Sequence, residues 1–177
     1  MSNRMCRQAS KLPDPAVAIR LLGAADVDAW RALRLEGLRA HPDAFGAHAD
    51  DEANWPLTDW RDRLAQRATL GAFIDGALVG TAALAIAPGT KNRHRGVLVG
   101  MYVAPQARGQ HVGHALVHAV LDLARERVEV VRLSVAIGNS PAIALYLACG
   151  FRPYAVDPDA IRVDGRIVDD ILMERRP

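Results

Sequence analysis

A glycine-containing loop between a predicted strand and a predicted helix is the part of this sequence with the clearest chemistry. The stretch 102–116 reads YVAPQARGQHVGHAL, in which Pro105 ends an apolar strand and an apolar helix follows the loop. Amide N–H groups at a helix start lack backbone partners, and the helix dipole places partial positive charge there. Gly109 and Gly113 allow close approach because they carry no Cβ. The loop is predicted to bind an anion such as a diphosphate, the alternative being an ordinary strand-to-helix turn.

A second segment, 138–151, reads GNSPAIALYLACGF and predicts a short helix. Ser140 and Pro141 suit the first turn of a helix, and Gly150 suits the position just after its end. Tyr146 on this helix is either a functional phenol or a half-buried aromatic residue of an amphipathic helix. The distance along the chain between this segment and the loop favours function for both.

The elements that must position these segments alternate between strands and helices. Asp75-Gly76 is a strong signal for a two-residue hairpin. Apolar residues spaced at i, i+3 and i+4 predict a helix over 112–124, and 129–136 is predicted to be the parallel strand that completes a strand-helix-strand crossover. The other predicted elements are a strand at 16–22, helices capped by Asp26 and Thr58, an irregular acidic connection at 43–54, a strand at 97–103, and two strands after Phe151 joined by a turn at Asp164-Gly165.

Composition and charge indicate one soluble α/β domain. The chain has 177 residues, of which 50% are hydrophobic, and its 22 basic and 20 acidic side chains are interspersed. We expect a flexible tail at 1–15 followed by a single domain at 16–177 in the cytoplasm, with no membrane span and no nucleic-acid partner. Cys6 and Cys149 are interpreted as free thiols. No metal site is predicted, because His111, His114 and His118 lack further ligands.

The two segments resemble the acyl-CoA-binding core of the GNAT N-acyltransferase superfamily. Its motif is Arg or Gln, two residues, Gly, one residue, and Gly or Ala, and here it runs from Arg108 to Gly113 with His111 at the central glycine position. The resemblance implies an α/β fold with a mixed, mostly antiparallel central sheet of about seven strands and helices on both faces. If the loop keeps the family's path, His111 must adopt a conformation there that accepts a side chain.

The resemblance also implies a set of residues that bind acetyl-CoA as acyl donor. Backbone groups of Met101, Tyr102 and Val103 would hold the pantetheine arm, and Asn139 would contact it. The Tyr146 hydroxyl would protonate the departing thiolate as general acid. The diphosphate would be bound by the segment that contains Arg108, Gly109, Gln110, His111, Val112, Gly113 and His114.

The general base and the acceptor site are less well marked. Many members of the superfamily carry a glutamate on the strand before the loop, whereas this sequence has no Asp or Glu between Asp75 and Asp122. The amine either arrives neutral or loses its proton through water to the backbone or to a carboxylate of 50–52. Asp50, Glu52, Phe45 and Trp55 are the candidate acceptor-binding residues and would suit a cationic, partly apolar amine. A solvated acidic loop and packing tryptophans are the alternative.

These observations predict an acetyl-CoA-dependent N-acetyltransferase that acts by direct attack in a ternary complex, without a metal. A primary amine of a small molecule is the expected acceptor, and a peptide or protein amine is the alternative. A third interpretation is a non-catalytic acyl-CoA-binding module. A homodimer formed through edge strands is compatible with the sequence.

Overall fold

Seven strands form one sheet in the order β1-β2-β3-β4-β5-β7-β6 in the computed structural model, which describes residues 17–177. Neighbouring strands are antiparallel except β4 and β5, which are parallel. The predicted fold class is confirmed, whereas the predicted tail at 1–15 lies outside the described residues. The strands are β1 Ala18–Leu21, β2 Ala68–Ile74, β3 Ala77–Ile86, β4 Arg95–Val103, β5 Val130–Ala136, β6 Arg152–Val163 and β7 Arg166–Arg175.

Helices cover both faces of this sheet. In the described part of the chain they are α1 Val27–Ala40, α2 Ala49–Ala53, α3 Leu57–Gln66, α4 Val112–Ala124 and α5 Ser140–Ala148. One buried apolar cluster joins α4 and α5 to the sheet, and a second joins α1, α2 and α3 to β2 and β3 from the other side. No helix within 17–177 is long and apolar enough to cross a bilayer.

Both predicted hairpins are present. Asp75 and Gly76 connect β2 to β3 with φ of 50° and 80°, and Asp164 and Gly165 connect β6 to β7 with φ of 50° and 78°. Positive φ at both central positions is what a type I′ turn requires, and aspartate and glycine tolerate it. These two turns fix the register of their flanking strands.

The helix predicted from apolar spacing is α4, and it packs across the middle of the sheet. Its buried residues are Val112, Leu116, Val117, Val120, Leu121 and Ala124. All six belong to the buried apolar cluster that α4 forms with α5 and the strands. This packing fixes where the N-terminus of α4, and hence the loop before it, lies relative to β4.

The starts of the first helices differ from the prediction. Asp26 does lie at the N-cap position of α1, but its carboxylate makes no capping hydrogen bond to α1 and instead accepts one from the Gly23 N–H at 2.8 Å. The Arg20 guanidinium beside it lowers the pKa of Asp26 to about 2. Thr58 lies inside α3, which begins at Leu57. The acidic connection at 43–54 contains the short helix α2.

Strands β4 and β5 separate after a short parallel contact. They pair only where 95–97 faces 130–132, so the part of β4 from Leu98 to Val103 has no partner strand on that side. A bulge lies in the same part of β4, because Thr81 pairs with Tyr102 and Ala83 pairs with Val99. This gap in the sheet positions the site described below.

Candidate active site

The loop between β4 and α4 presents a row of amides at the start of a helix. The Ala115 N–H donates to the His111 carbonyl at 3.0 Å and begins the α4 ladder, so the preceding amides of 112–114 have no helical carbonyl to bond. Gly109 has φ of 76° and open space where a Cβ would stand, and a Cβ on Gly113 would meet Leu145 at 3.1 Å. The backbone thus forms a concave, positively polarised surface that suits an anion.

Arg108 holds this loop against the end of β4. Its Nε donates to the Val103 carbonyl at 3.1 Å, and its guanidinium lies 5.9 Å from the centre of the Tyr102 ring. One Nη lies 2.9 Å from His41 Nε2. Gln110 is fixed through the Gln106 carbonyl at 3.0 Å. The loop is therefore held in shape by its own side chains.

His111 keeps the backbone conformation that favours glycine. Its φ is 58° and its ψ is 10°, in the left-handed region, and its exposed ring lies 5.9 Å from that of His114. The left-handed conformation costs a residue with a Cβ about 1 kcal/mol. The loop thus accepts a side chain at this position by bearing strain.

We predict that His111→Gly raises the free energy of unfolding by about 1 kcal/mol, because glycine adopts φ of 58° without the Cβ contact. His114→Gly is the matched control. It lies inside α4, where glycine should lower stability by about 1 kcal/mol. Urea denaturation measures both variants. Destabilisation by His111→Gly would contradict the strain argument.

Tyr102 and Met101 belong to the same stretch of β4 but face different surroundings. The Tyr102 ring is buried under α1, where a Cβ on Gly37 would stand 2.9 Å from it, and its hydroxyl donates to Glu36 at 2.9 Å. Burial, followed by the Glu36 carboxylate, raises the pKa of Tyr102 to about 12. Gly100, with φ of 63°, and Met101 form the bulge opposite Ala82. Sequence reasoning missed Gly100, although a lone glycine inside a strand pattern is a signal for a bulge.

Two cavities meet where β4 and β5 separate. The first, of about 540 Å³, follows the loop and is lined by Met101 to Val103 and by 107–109 and 111–114. The second, of about 440 Å³, lies between α1, α3 and the strands. We refer to them as the loop groove and the inner cavity. Their shared lining residues are Ala44, Phe45, Met101, Asn139, Ala142 and Leu145.

Tyr146 reaches the inner cavity from α5. It is 6% exposed, and its ring contacts Phe151 edge to face at 5.9 Å between centroids. Burial raises the pKa of Tyr146 well above its usual range, and the Cys149 thiol nearby acts in the same direction. The phenol is therefore protonated at any physiological pH and can act only as a donor of its proton.

Asn139 stands at the junction of the two cavities. Its Oδ1 accepts from the Ala142 N–H at 3.3 Å and caps α5. The cap uses only the side-chain oxygen, so the NH₂ group is left to donate toward the cavities that Asn139 lines. Asn139 thus serves the local fold and the site together.

The predicted acceptor residues separate into two environments. Phe45 lines the inner cavity, and Trp55 stacks with Arg63, whose guanidinium carbon is 4.8 Å from its ring centre. The Asp50 side chain is 81% exposed and faces His48 at the surface. Glu52 points the other way and is 1% exposed. It cannot meet an acceptor directly, because the protein interior surrounds its carboxylate.

Arginines surround Glu52 instead. Arg34 binds the carboxylate with two hydrogen bonds of 2.9 Å, and Arg63 lies 3.3 Å from it. Arg34, Arg63 and Arg67 all line the inner cavity. The sequence reasoning missed them, although Arg34 lies at i+4 from Trp30 and i−4 from Leu38, on the apolar face of α1.

Among the described residues, no Asp or Glu lines the inner cavity. Apart from Glu52, which binds the lining residues Arg34 and Arg63, Asp170 on β7 is a carboxylate beside the lining residue Ser134. Burial raises the pKa of Asp170, and the Asp157 carboxylate acts in the same direction, whereas the Ser134 hydrogen bond lowers it. Strand β4 carries no Asp or Glu, and none of the described lining residues supplies a carboxylate in its place.

The chain is similar in sequence to known acetyltransferases. Residues 30–151 match the model of the "Acetyltransferase (GNAT) family". A mycothiol acetyltransferase of Sanguibacter keddieii is 33% identical over 156 residues, which cover 84% of this chain and 47% of that protein. The chain therefore spans about half the length of the curated relatives it matches.

Solved structures share the fold. A ribosomal-protein-alanine N-acetyltransferase from Brucella melitensis superposes with a TM-score of 0.75 and 26% identity, covering 90% of this chain and 99% of that one. A putative acetyltransferase from Salmonella typhimurium, solved with its cofactor acetyl-CoA, gives a TM-score of 0.76 and 21% identity, covering 91% and 94%.

Proposed function

The chain belongs to the GNAT acetyltransferase family, and from this premise we propose that it transfers an acetyl group from acetyl-CoA to a primary amine of a small molecule. The transfer occurs by direct attack while both substrates are bound. The observation that carries the proposal is the meeting of the loop groove with the inner cavity at the split between β4 and β5, where Tyr146 lines the wall.

The loop groove is the proposed site of coenzyme A. Amides from Gly109 to His114 would bind the diphosphate, helped by the dipole of α4. The pantetheine arm would lie along the side of β4 that faces away from β3, where the backbone groups of Met101 to Val103 are not paired with β5. A main-chain N–H at the bulge would face the thioester oxygen and stabilise the negative charge that develops there. The NH₂ group of Asn139 would contact the arm from the α5 side.

The inner cavity is the proposed site of the acceptor. Its volume of about 440 Å³ falls within the usual range for small-molecule sites. Side chains of α1, α3, β2 and β3 enclose it, which favours a small molecule over a peptide. The amine nitrogen attacks the thioester carbon, the C–S bond breaks, and Tyr146 gives its proton to the sulfur. The amine proton leaves through water, because no carboxylate among the described residues lines the cavity.

We predict that the rate depends on the neutral form of the amine. For an alkylamine of pKa near 10.4, kcat/KM should rise nearly tenfold per pH unit between about pH 6 and 9. Thiol release from acetyl-CoA with a panel of small amines measures this dependence. A profile that is flat above neutrality would show that a base acts, and Asp170 behind Ser134 would be the first carboxylate to replace.

The same assay separates the alternatives. Acetyl-CoA binding by calorimetry without thiol release for any amine would identify a binding module. Release with peptide amines but not with small amines would assign a protein acceptor. Absence of binding to both coenzyme A and acetyl-CoA would reject all of these functions.

A further inference from the structure

The inner cavity has an excess of positive charge. Arg34, Arg63 and Arg67 line it, and Glu52 is the one carboxylate within 17–177 that lies within ion-pair distance of any of them. Three guanidinium groups against one carboxylate leave two uncompensated positive charges in the lining of the cavity. Such charges are costly unless an anion or water completes their hydrogen bonding.

Arg67 has the most open hydrogen-bonding capacity. It follows the last residue of α3 and is half-buried, and its guanidinium makes no hydrogen bond or ion pair with another described residue. Burial lowers the pKa of Arg63, and Arg67 and Arg34 act in the same direction, whereas Glu52 opposes them. The cationic groups are thus close enough to repel one another, and a second anion would relieve this repulsion.

Two of the three arginines are also held in place before any ligand arrives. Arg34 is fixed by the two hydrogen bonds that it donates to Glu52, and its guanidinium carbon lies 5.0 Å from the Phe45 ring centre. Arg63 is fixed by Glu52 and by stacking on Trp55. A guanidinium with a fixed plane binds the two oxygens of a carboxylate or phosphate without losing much further entropy. Glu52 therefore orients the arginines and neutralises only part of their charge.

The arginines line the same cavity as the residues at which the acetyl transfer is proposed to occur. The same cavity is lined by Tyr146, Gly100 and Met101 at the split between β4 and β5. We propose that the acceptor carries an anionic group, a carboxylate or a phosphate, which binds Arg67 and Arg63 while its amine faces the split. This inference rests on the proposed function, and it reverses the sequence-based expectation of a cationic acceptor recognised by Asp50 and Glu52.

The test compares acceptors that differ in charge. Kinetics of acetyl-CoA with 3-aminopropanoate, 2-aminoethyl phosphate and 3-aminopropan-1-ol, which has an amine but no anionic group, give kcat/KM for each. We expect one or both anionic amines to be preferred by at least about tenfold, and Arg67→Gln to reduce that preference by at least about fivefold. Which anionic amine is preferred distinguishes a carboxylate from a phosphate acceptor.

Arg61→Gln is the matched control, because Arg61 is an exposed residue of the same helix and does not line the cavity. It should retain the full preference. The inference would be overturned if kcat/KM for 3-aminopropan-1-ol equalled that for both amines with an anionic group. It would also be overturned if Arg67→Gln left the preference unchanged.

A second measurement does not depend on turnover. Calorimetry of the coenzyme-saturated protein with propanoate and with inorganic phosphate should detect binding of at least one of them, weakened by Arg67→Gln and not by Arg61→Gln. If this binding occurs while no amine is acetylated, the anion site stands and the proposed function fails. If acetylation proceeds but neither anion binds and no charge preference is seen, the anion site fails and the proposed function stands.

Discussion

Replacing Tyr146 with phenylalanine is expected to lower kcat by about 100-fold while changing the Kd of acetyl-CoA by less than about twofold. The phenol is the proposed donor of the proton that the departing thiolate needs, and the ring without its hydroxyl still fills the same space against Phe151. Thiol-release kinetics and calorimetry measure the two quantities separately. Because burial keeps the Tyr146 pKa far above neutrality, the wild-type rate should not fall through its ionisation below about pH 10.

Tyr154→Phe provides the matched control for this substitution. Tyr154 lies on β6 and is 45% exposed, with its ring against Arg132, away from both cavities. The control should retain the wild-type rate. A Tyr146→Phe variant with an unchanged kcat would remove the acid role from Tyr146, and a loss of coenzyme affinity equal to the loss of rate would show that the hydroxyl serves binding.

Replacing Glu52 with glutamine is expected to lower the free energy of unfolding by about 3 to 5 kcal/mol. Glutamine keeps the shape of the side chain but leaves Arg34 buried without a compensating negative charge, and Arg63 loses its partner as well. For a chain of 177 residues, the melting temperature should fall by about 10 °C. Thermal and urea denaturation measure the loss.

Asp50→Asn is the matched control, on the same short helix and also acidic but exposed. Its stability should stay within about 0.5 kcal/mol of the wild type. A loss below about 1 kcal/mol for Glu52→Gln would mean that water or another group compensates Arg34, which would contradict the view of Glu52 as the central anion of the arginine cluster.

Local sequence signals predicted the elements whose formation depends on neighbouring residues. Two Asp-Gly pairs predicted the two hairpins, because the turn conformation is decided within a few residues. Apolar spacing predicted α4, and the loop motif predicted the amide row in front of it. The resemblance to the GNAT superfamily supplied the mixed, mostly antiparallel sheet of about seven strands, and the order of the strands was not predicted.

The acceptor side could not be predicted in the same way. Helix α2 has five residues, too few for a periodic signal, and the direction in which Glu52 points is decided by Arg34 and Arg63 on two other helices. Composition showed an acidic segment but not that Glu52, the last of its three carboxylates, turns inward. The one available signal was the position of Arg34 on an apolar helix face, where a charged side chain requires a partner.

The short contact between β4 and β5 divides the sheet into two parts, β1 to β4 and β5 to β7, that are joined at one end only. Only 95–97 and 130–132 bridge the two strands directly, so main-chain ties between the two halves of the sheet are concentrated at one end. Under the proposed mode of binding, the pantetheine arm of the coenzyme would connect the two parts at their separated end. We expect the two parts of the sheet to move slowly relative to each other, which amide hydrogen exchange along Leu98 to Val103 can measure. Bound coenzyme should slow this exchange, and its release should restore the original rate.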